Sequence, residues 1–129
     1  MSRLPVISIS DDDASVRAAT DNLLRSLGYI VHTSASAEEF LQSAHLNDTS
    51  CVIADVQMPV MSGVELLTTM RAQGYRVPFI FITAFPDDSI RDRALKAGAI
   101  CFLAKPFAAP TFIKCLGTAL KGHRGGADT

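Results

Sequence analysis

Short apolar runs alternate with amphipathic stretches along the chain. The runs fall at residues 6–10, 29–33, 51–54, 77–82 and 100–104 and are rich in β-branched and aromatic residues. In the fourth run, Val-Pro-Phe-Ile-Phe-Ile, apolar residues follow one another without polar alternation. Such runs are typical of strands that are buried on both faces of a sheet. The pattern therefore predicts five strands.

Between these runs, apolar residues recur at helical spacing and predict five helices. The helices are expected at about residues 14–27, from residue 36 onward, at 64–73 and 88–97, and from Pro110 onward. Ser36 and Glu39 form a capping-box pattern at the start of the second helix. The faces expected to be buried are Val16, Ala19, Leu23 and Leu27 in the first helix, Ala37, Phe40, Leu41 and Ala44 in the second, and Phe112, Ile113, Leu116 and Leu120 in the fifth.

Five strand–helix repeats with short connections predict an α/β fold with a mostly parallel sheet covered on both faces. The length of 129 residues suits one domain with a single sizeable core. In sheets of this kind, functional residues collect at the carboxyl ends of the strands. The strand ends are therefore the place to look for chemistry.

Composition excludes several classes of protein. The net charge of −1, from 12 basic and 13 acidic residues, argues against a basic nucleic-acid-binding face. The chain has no Trp and only two Tyr, so a base-stacking surface is also disfavoured. The apolar runs are too short to span a membrane, and the first is too short and polar for a signal peptide. We expect a cytoplasmic protein that binds neither nucleic acid nor membranes.

The cysteines and histidines do not form a recognisable ligand pattern. Cys51, Cys101 and Cys115 are odd in number and contain no C-x-x-C pair. Cys51 and Cys101 lie in apolar runs, so reduced, structural thiols are expected. The three histidines show no i, i+4 pairing, and a zinc site is not supported.

Polar residues follow four of the predicted strands at the point where each strand ends. Asp11 and Asp12 follow the first strand, Asp55 the third, Thr83 the fourth and Lys105 the fifth. If these strands lie side by side, three carboxylates, a hydroxyl and an ammonium group converge at one edge. The sequence thus predicts a charged site at the carboxyl edge of the sheet.

The charge of this cluster indicates what it binds. Three carboxylates and one lysine leave a formal charge near −2, and two like charges about 4 Å apart repel by roughly 4 kcal/mol at an effective dielectric constant near 20. Mg²⁺ fits this set of oxygen ligands and also accepts phosphate oxygens. Asp55, alone on its strand, is then the candidate nucleophile for forming an acyl phosphate. Asp11 and Asp12 are metal ligands in this interpretation, and Lys105 and Thr83 hold the phosphoryl oxygens.

These residues match a known family. The motifs are Asp11-Asp12, Asp55 followed by Met58-Pro59 and Gly63, Thr83-Ala84, and Lys105-Pro106-Phe107. Together they resemble the receiver domain of bacterial two-component response regulators over about residues 4–121, and the local sequence is most similar to the FixJ-type subgroup. The resemblance implies a flavodoxin-like (CheY-like), doubly wound five-stranded parallel sheet of strand order 2-1-3-4-5 with five helices. It implies a receiver domain over residues 1–121, leaving residues 122–129 as a flexible tail or the start of a linker.

The resemblance also implies partners and residue roles. Asp55 is expected to accept a phosphoryl group from a sensor histidine kinase or a histidine phosphotransfer protein. Mg²⁺ would be bound directly by Asp12, Asp55 and the backbone carbonyl of Gln57, and by Asp11 largely through water. Such domains usually have a cis bond at the position of Lys105 and Pro106.

A switch is implied as well. The hydroxyl of Thr83 is expected to act together with the aromatic residue three positions before the lysine, here Phe102. Phosphorylation would change the surface of helix 4, strand 5 and helix 5, where a downstream protein or a second copy of the chain would bind. Phe102 lacks a phenolic hydroxyl, so its rearrangement would rest on packing, and packing in the core is its simpler interpretation.

Other interpretations remain open. Asp13 is expected to cap the first helix rather than to bind metal, and Arg17 is expected on the surface. An Mg²⁺-dependent aspartyl-phosphate phosphatase or phosphotransferase is disfavoured, because Gln57 stands where those enzymes resemble one another in a second aspartate. A receiver-like interaction module that is never phosphorylated is the third hypothesis. The preferred prediction is a signalling phosphoacceptor that is not an enzyme acting on an external substrate.

Overall fold

Strands and helices alternate along the chain, as the sequence predicts. The computed structural model describes the backbone of residues 4–128 and the side chains of residues 4–121. Its elements are β1 Val6–Ser10, α1 Ala14–Ser26, β2 Ile30–Ser34, α2 Ala37–Leu41, β3 Cys51–Asp55, α3 Gly63–Ala72, β4 Phe79–Thr83, α4 Asp88–Lys96, β5 Cys101–Ala104 and α5 Ala109–Asp128. A short 3₁₀ helix, Leu46–Asp48, precedes β3. The side chains of the expected tail, residues 122–129, lie outside the described part, and its mobility stays a prediction.

The five strands form one parallel sheet in the order β2-β1-β3-β4-β5. The register pairs Ser10 with Ala54, Asp55 with Ile82, and Thr83 with Ala104. The carboxyl ends of β1, β3, β4 and β5 therefore lie side by side. The predicted flavodoxin-like, CheY-like fold with five helices is confirmed.

Helices α1 and α3 each begin at a residue whose side chain caps the helix. Oδ1 of Asp13 accepts hydrogen bonds from the N–H groups of Ser15 at 2.9 Å and Val16 at 3.2 Å, so the predicted cap of α1 is confirmed. Ser62 and Glu65 form a reciprocal capping box at α3, with bonds of 3.1 and 2.8 Å. These bonds satisfy N–H groups that have no partner within the helix. They fix where each helix begins relative to the strand before it.

The sheet separates two apolar clusters. The α3-side cluster includes Phe40, Val52, Ala54, Leu66, Leu67, Met70, Phe79 and Phe81. The α5-side cluster includes Ile7, Ile9, Leu24, Cys51, Ile53, Ile80, Ile82, Phe112 and Leu116. Successive residues of β3 and β4 alternate between the two clusters because side chains along a strand point to opposite faces. Both central strands are thus buried throughout, as their apolar runs predict.

The buried face of α1 agrees with the prediction only in part, since Val16 and Leu23 are partly buried against the α5-side cluster. Thr20 and Leu24 are the fully buried residues of this helix, whereas Ala19 is exposed. Leu27 lies after the end of α1 and is 40% exposed. The predicted face and the face that carries Thr20 and Leu24 are adjacent on this helix, and packing against the sheet decides which of the two is buried more deeply.

Two further residues expected in the core are exposed. Helix α2 ends at Leu41, so Ala44 lies outside it in a turn and is exposed. Ile113 is 41% exposed because it is next to the fully buried Phe112, and adjacent residues of a helix point in different directions. Phe112, Leu116 and Leu120 are buried as expected.

The prediction of reduced thiols in the apolar runs is wrong for Cys101 and agrees with the structure for Cys51. Cys101 of β5 and Cys115 of α5 form a disulfide, with their Cα atoms 6.2 Å apart. This Cα separation lies in the usual range for disulfides, and it arises because Cys101 lies on the face of the sheet that α5 covers. Cys51 is free and buried, and burial raises the pKa of its thiol to about 12. No helix in the part of the chain that the structure describes is long and apolar enough to cross a membrane.

Candidate functional site

Three carboxylates meet at the carboxyl edge of the sheet. Asp11 follows β1 and is fully buried, Asp55 ends β3 and is 7% exposed, and Asp12 is exposed. One carboxylate oxygen of each lies within 4.8 Å of one from each of the other two. The structure therefore brings together the three aspartates that the sequence singles out.

Lys105 joins the two buried carboxylates. Its Nζ lies 3.1 Å from Oδ2 of Asp11 and 3.1 Å from Oδ2 of Asp55, and its side chain is 11% exposed. The backbone N–H of Lys105 donates to the carbonyl oxygen of Thr83 at 2.7 Å, which continues the pairing of β4 with β5. The Lys105–Pro106 peptide bond is cis, as the resemblance implies. The lysine is thus anchored at both its backbone and its ammonium group.

Backbone N–H groups hold the other oxygen of each buried carboxylate. Oδ1 of Asp11 accepts from the N–H of Asp13 at 2.9 Å, and Oδ1 of Asp55 accepts from the N–H of Gln57 at 3.0 Å. In both turns the aspartate side chain bonds to the backbone two residues further on. Each carboxylate is therefore held on one side by its own loop and on the other by Lys105.

Burial and neighbouring charges shift the pKa values of Asp55 and Lys105. Burial raises the pKa of Asp55 above its ordinary value of 3.8 and outweighs the hydrogen bonds from Gln57 and Lys105, which lower it. Burial alone would lower the pKa of Lys105, but its hydrogen bonds and charge interactions with Asp11 and Asp55 produce a net rise. Lys105 is therefore charged at neutral pH and compensates only part of the negative charge around it.

The donor set fits a hard divalent cation. Three carboxylates against one ammonium group leave a formal charge of about −2, and carboxylate oxygens are preferred ligands of Mg²⁺. Gln57, whose carbonyl is the predicted fourth ligand, lies in the loop directly after Asp55. The arrangement is thus able to hold Mg²⁺ together with an anionic group.

Gly63 lets α3 approach the backbone of Asp55 closely. A Cβ atom at this position would lie 2.5 Å from the carbonyl oxygen of Asp55 and 2.9 Å from the ring of Phe81. The N–H of Gly63 donates to the carbonyl of Val56 at 2.9 Å. Only glycine allows this first turn of α3 to pack beneath the end of β3.

Thr83 and Phe102 lie on the same face of the sheet. Thr83 is fully buried, and its hydroxyl accepts a hydrogen bond from the N–H of Phe85 at 3.1 Å. Phe102 pairs with Phe81, two residues before Thr83, and packs against the α3-side cluster while lining a cleft beside α4. The two residues of the expected switch are therefore neighbours on adjacent strands.

One residue near the site was expected on the surface. Nη1 of Arg17, in the first turn of α1, donates to the carbonyl oxygen of Asp11 at 2.7 Å. The side chain reaches back over the β1–α1 loop and holds the backbone between the two acidic residues. The only signal in the sequence is the position of a long side chain within one to two turns of that loop.

Comparison with known proteins identifies the family. The sequence profile described as "response regulator receiver domain" matches residues 7–116. The chain belongs to this family. The receiver domain is 38% identical over 119 residues to the response regulator protein TodT of Pseudomonas putida, covering 92% of this chain and 52% of TodT. It is 42% identical over 104 residues to the transcriptional regulatory protein FixJ of Azorhizobium caulinodans, covering 81% of this chain and 49% of FixJ.

Solved structures agree with this assignment. The crystal structure of FixJ-N superposes on the receiver domain with a TM-score of 0.83 at 34% identity, covering 94% of this chain and 96% of that one. The predicted FixJ-type receiver is confirmed, and the receiver domain is a signalling domain of two-component systems. It spans about half the length of the curated relatives that it matches.

Proposed function

We propose that this receiver domain accepts a phosphoryl group on Asp55 from a sensor histidine kinase or a histidine phosphotransfer protein, in an Mg²⁺-dependent reaction in the cytoplasm. The observation that carries the proposal is the position of the Lys105 ammonium group, 3.1 Å from the carboxylates of both Asp11 and Asp55. A cation shared between two buried acids is poised to pair with a phosphoryl oxygen at the same place.

The residues divide the reaction between them. An oxygen of Asp55 attacks the phosphorus of the donor, the bond from phosphorus to the donor nitrogen breaks, and an acyl phosphate forms on Asp55. The bond from Gln57 N–H to Oδ1 orients the carboxylate. Lys105 pairs with one phosphoryl oxygen. The Thr83 hydroxyl, which accepts a hydrogen bond from the N–H of Phe85 before phosphorylation, turns to another phosphoryl oxygen.

The metal would be held by Asp11, Asp12, Asp55 and the backbone carbonyl of Gln57. When bound, Mg²⁺ neutralises the charge that develops on the transferring group. Asp11 would offer the metal a fixed carboxylate, because it is fully buried and held by the N–H of Asp13 and by Lys105. Arg17 holds the same loop by donating a hydrogen bond to the carbonyl oxygen of Asp11.

A groove beside the site suits the phosphoryl donor. It has a volume of about 440 Å³ and runs between α1 and the loop after β5. Its walls are mainly apolar, and its lining includes Val16, Ala19 and Leu23 of α1 together with Lys105 and Phe107. A helix of the donor protein lying in this groove would bring its phosphohistidine to Asp55.

The output surface is formed by α4, β5 and α5. Three large apolar side chains are exposed there: Leu95 at 39%, Ile100 at 42% and Ile113 at 41%. Movement of Thr83 toward a phosphoryl group would free space beside Phe102, which lines a cleft of about 200 Å³ next to α4. A change in Phe102 would thus alter a surface that already suits a downstream protein or a second copy of the chain.

Intact mass spectrometry tests the proposal. The protein is incubated with Mg²⁺ and a small acyl phosphate donor, and the expected product carries one added phosphoryl group. Asp55→Asn should give no adduct, whereas Asp92→Asn, which removes an exposed acid of α4, should react like the wild type. Chelation of Mg²⁺ should also abolish the adduct. A wild-type protein that stays unmodified would favour the interaction module that is never phosphorylated.

A further inference from the structure

The disulfide joins two elements of the output surface. Cys101 is the first residue of β5, and Cys115 lies in the second turn of α5. Both residues are partly rather than fully buried. Cys51, by contrast, is fully buried in β3. The pair is therefore distinct in both position and accessibility from the third cysteine.

The loop closed by this bond contains the lysine of the site. Cys101 and Cys115 are separated by 14 residues, and Lys105, Pro106 and Phe107 lie between them. Lys105 Nζ contacts Asp11 and Asp55, and the Phe107 ring stacks on Phe112 at 5.0 Å between ring centres. A covalent link between the two flanks of this loop restricts how far its backbone can move.

The bond also fixes one face of β5 while leaving the other free. Cys101 and Leu103 pack in the α5-side cluster, whereas Phe102 packs against the α3-side cluster. Oxidation thus holds α5 against β5 and leaves the face of Phe102 unlinked.

We propose that Cys101 and Cys115 form a reversible redox lock that orders the Lys105 loop over the acidic site when oxidised. The inference rests on the proposed function for its effect on phosphorylation. Lasting disulfides are rare in the reducing cytoplasm, where those that occur are usually catalytic or redox-sensing. The lock therefore makes the receiver domain a sensor of thiol redox state as well as a phosphoacceptor.

The oxidant is a low-molecular-weight disulfide such as oxidised glutathione. One protein thiolate attacks a sulfur of this disulfide, a mixed disulfide forms and the first small thiol leaves. The second protein thiolate then attacks the protein sulfur of the mixed disulfide and releases the second small thiol. Two protein thiols are oxidised, one small disulfide is reduced to two thiols, and the two thiol protons pass to the leaving groups.

The test compares oxidised and reduced forms of the full chain. The protein is equilibrated with oxidised or reduced glutathione, and the bond is measured by intact mass after alkylation of free thiols. Amide hydrogen exchange is measured for Lys105, Phe107 and Ala108, and phosphorylation is followed with the small acyl phosphate donor. Cys115→Ser removes the lock, and Cys51→Ala is the matched control that loses a thiol elsewhere.

The lock predicts that oxidised wild type and oxidised Cys51→Ala form the bond, exchange these amides more slowly, and gain phosphate about threefold faster than their reduced forms. Cys115→Ser should match reduced wild type under both conditions. Failure to form the bond, or equal amide exchange in the two redox forms, overturns the lock. Equal phosphorylation rates despite slower exchange overturn its link to the site. If neither form gains phosphate, the proposed function fails, and amide exchange alone then decides whether the lock exists.

Discussion

Replacing Lys105 by Met tests how the charges of the site are balanced. The substitution removes the ammonium group that lies 3.1 Å from two buried carboxylates. Each contact has a gross attraction of about 5 kcal/mol at an effective dielectric constant near 20, most of which the desolvation of the ions offsets. Removing one partner of a buried ion pair usually costs about 3–5 kcal/mol, and the exposure of Lys105 places it at the lower end. We expect a loss of about 3 kcal/mol, or about 10 °C in Tm, for the magnesium-free protein at pH 7.

The loss of stability in Lys105→Met should depend on whether another cation, here Mg²⁺, compensates the negative charge of the carboxylates. Urea unfolding followed by far-UV circular dichroism measures the free energy of unfolding with a chelator and with saturating Mg²⁺. The difference between variant and wild type should shrink when Mg²⁺ is present, because the metal supplies the missing positive charge. Lys114→Met, which removes an exposed lysine of α5, is the matched control and should change stability by less than about 0.5 kcal/mol. A Lys105→Met protein as stable as the wild type in chelator would refute the reasoning.

Two further substitutions test the buried charge and the close approach of α3. Asp55→Asn should stabilise the magnesium-free protein at pH 7 by about 1 kcal/mol, because Lys105 keeps Asp11 as its partner and because burial, by raising the pKa of Asp55, makes its ionised form the less favourable one. Since the cost of this charge appears as the pH rises through the raised pKa, the gain in Tm should be smaller near about pH 4, and a larger gain there would contradict the assignment. Gly63→Ala should lower the free energy of unfolding by roughly 2–4 kcal/mol in urea, because its Cβ would meet the Asp55 carbonyl. Gly117→Ala, where a Cβ meets nothing within 4 Å, should instead gain up to about 1 kcal/mol, and equal midpoints for the two alanine variants would contradict the close approach.

The fold and the centre of the site were readable from the sequence because each depends on a local pattern. The apolar runs of β3 and β4 are buried along their whole length, so their composition alone identifies them. Asp55 and Thr83 are the last residues of their strands and Lys105 directly follows β5, and the parallel arrangement of these strands places them at one edge. The strand order came from the resemblance to receiver domains, since the pattern of elements fits other orders as well.

The features that sequence reasoning missed depend on tertiary packing. Cys101 and Cys115 come together because α5 covers the face of the sheet on which Cys101 lies, and a spacing of 14 residues carries no sign of that contact. Thr20 is buried in α1 although it is polar, because that line of the helix faces the sheet. Arg17 folds back onto the Asp11 carbonyl, which only the course of the loop makes possible.

The separation of the core into an α3-side and an α5-side cluster has a consequence for how this protein changes over generations. Side chains of the two clusters are kept apart by the thickness of the sheet, so substitutions on opposite faces should add nearly independently. Each face can then exchange its apolar residues without waiting for a compensating change on the other. This freedom ends at the carboxyl edge, where Asp11, Asp55 and Lys105 depend on strands that both faces support. Among relatives, substitutions on one face of the sheet should therefore be largely independent of those on the other face, except at the site.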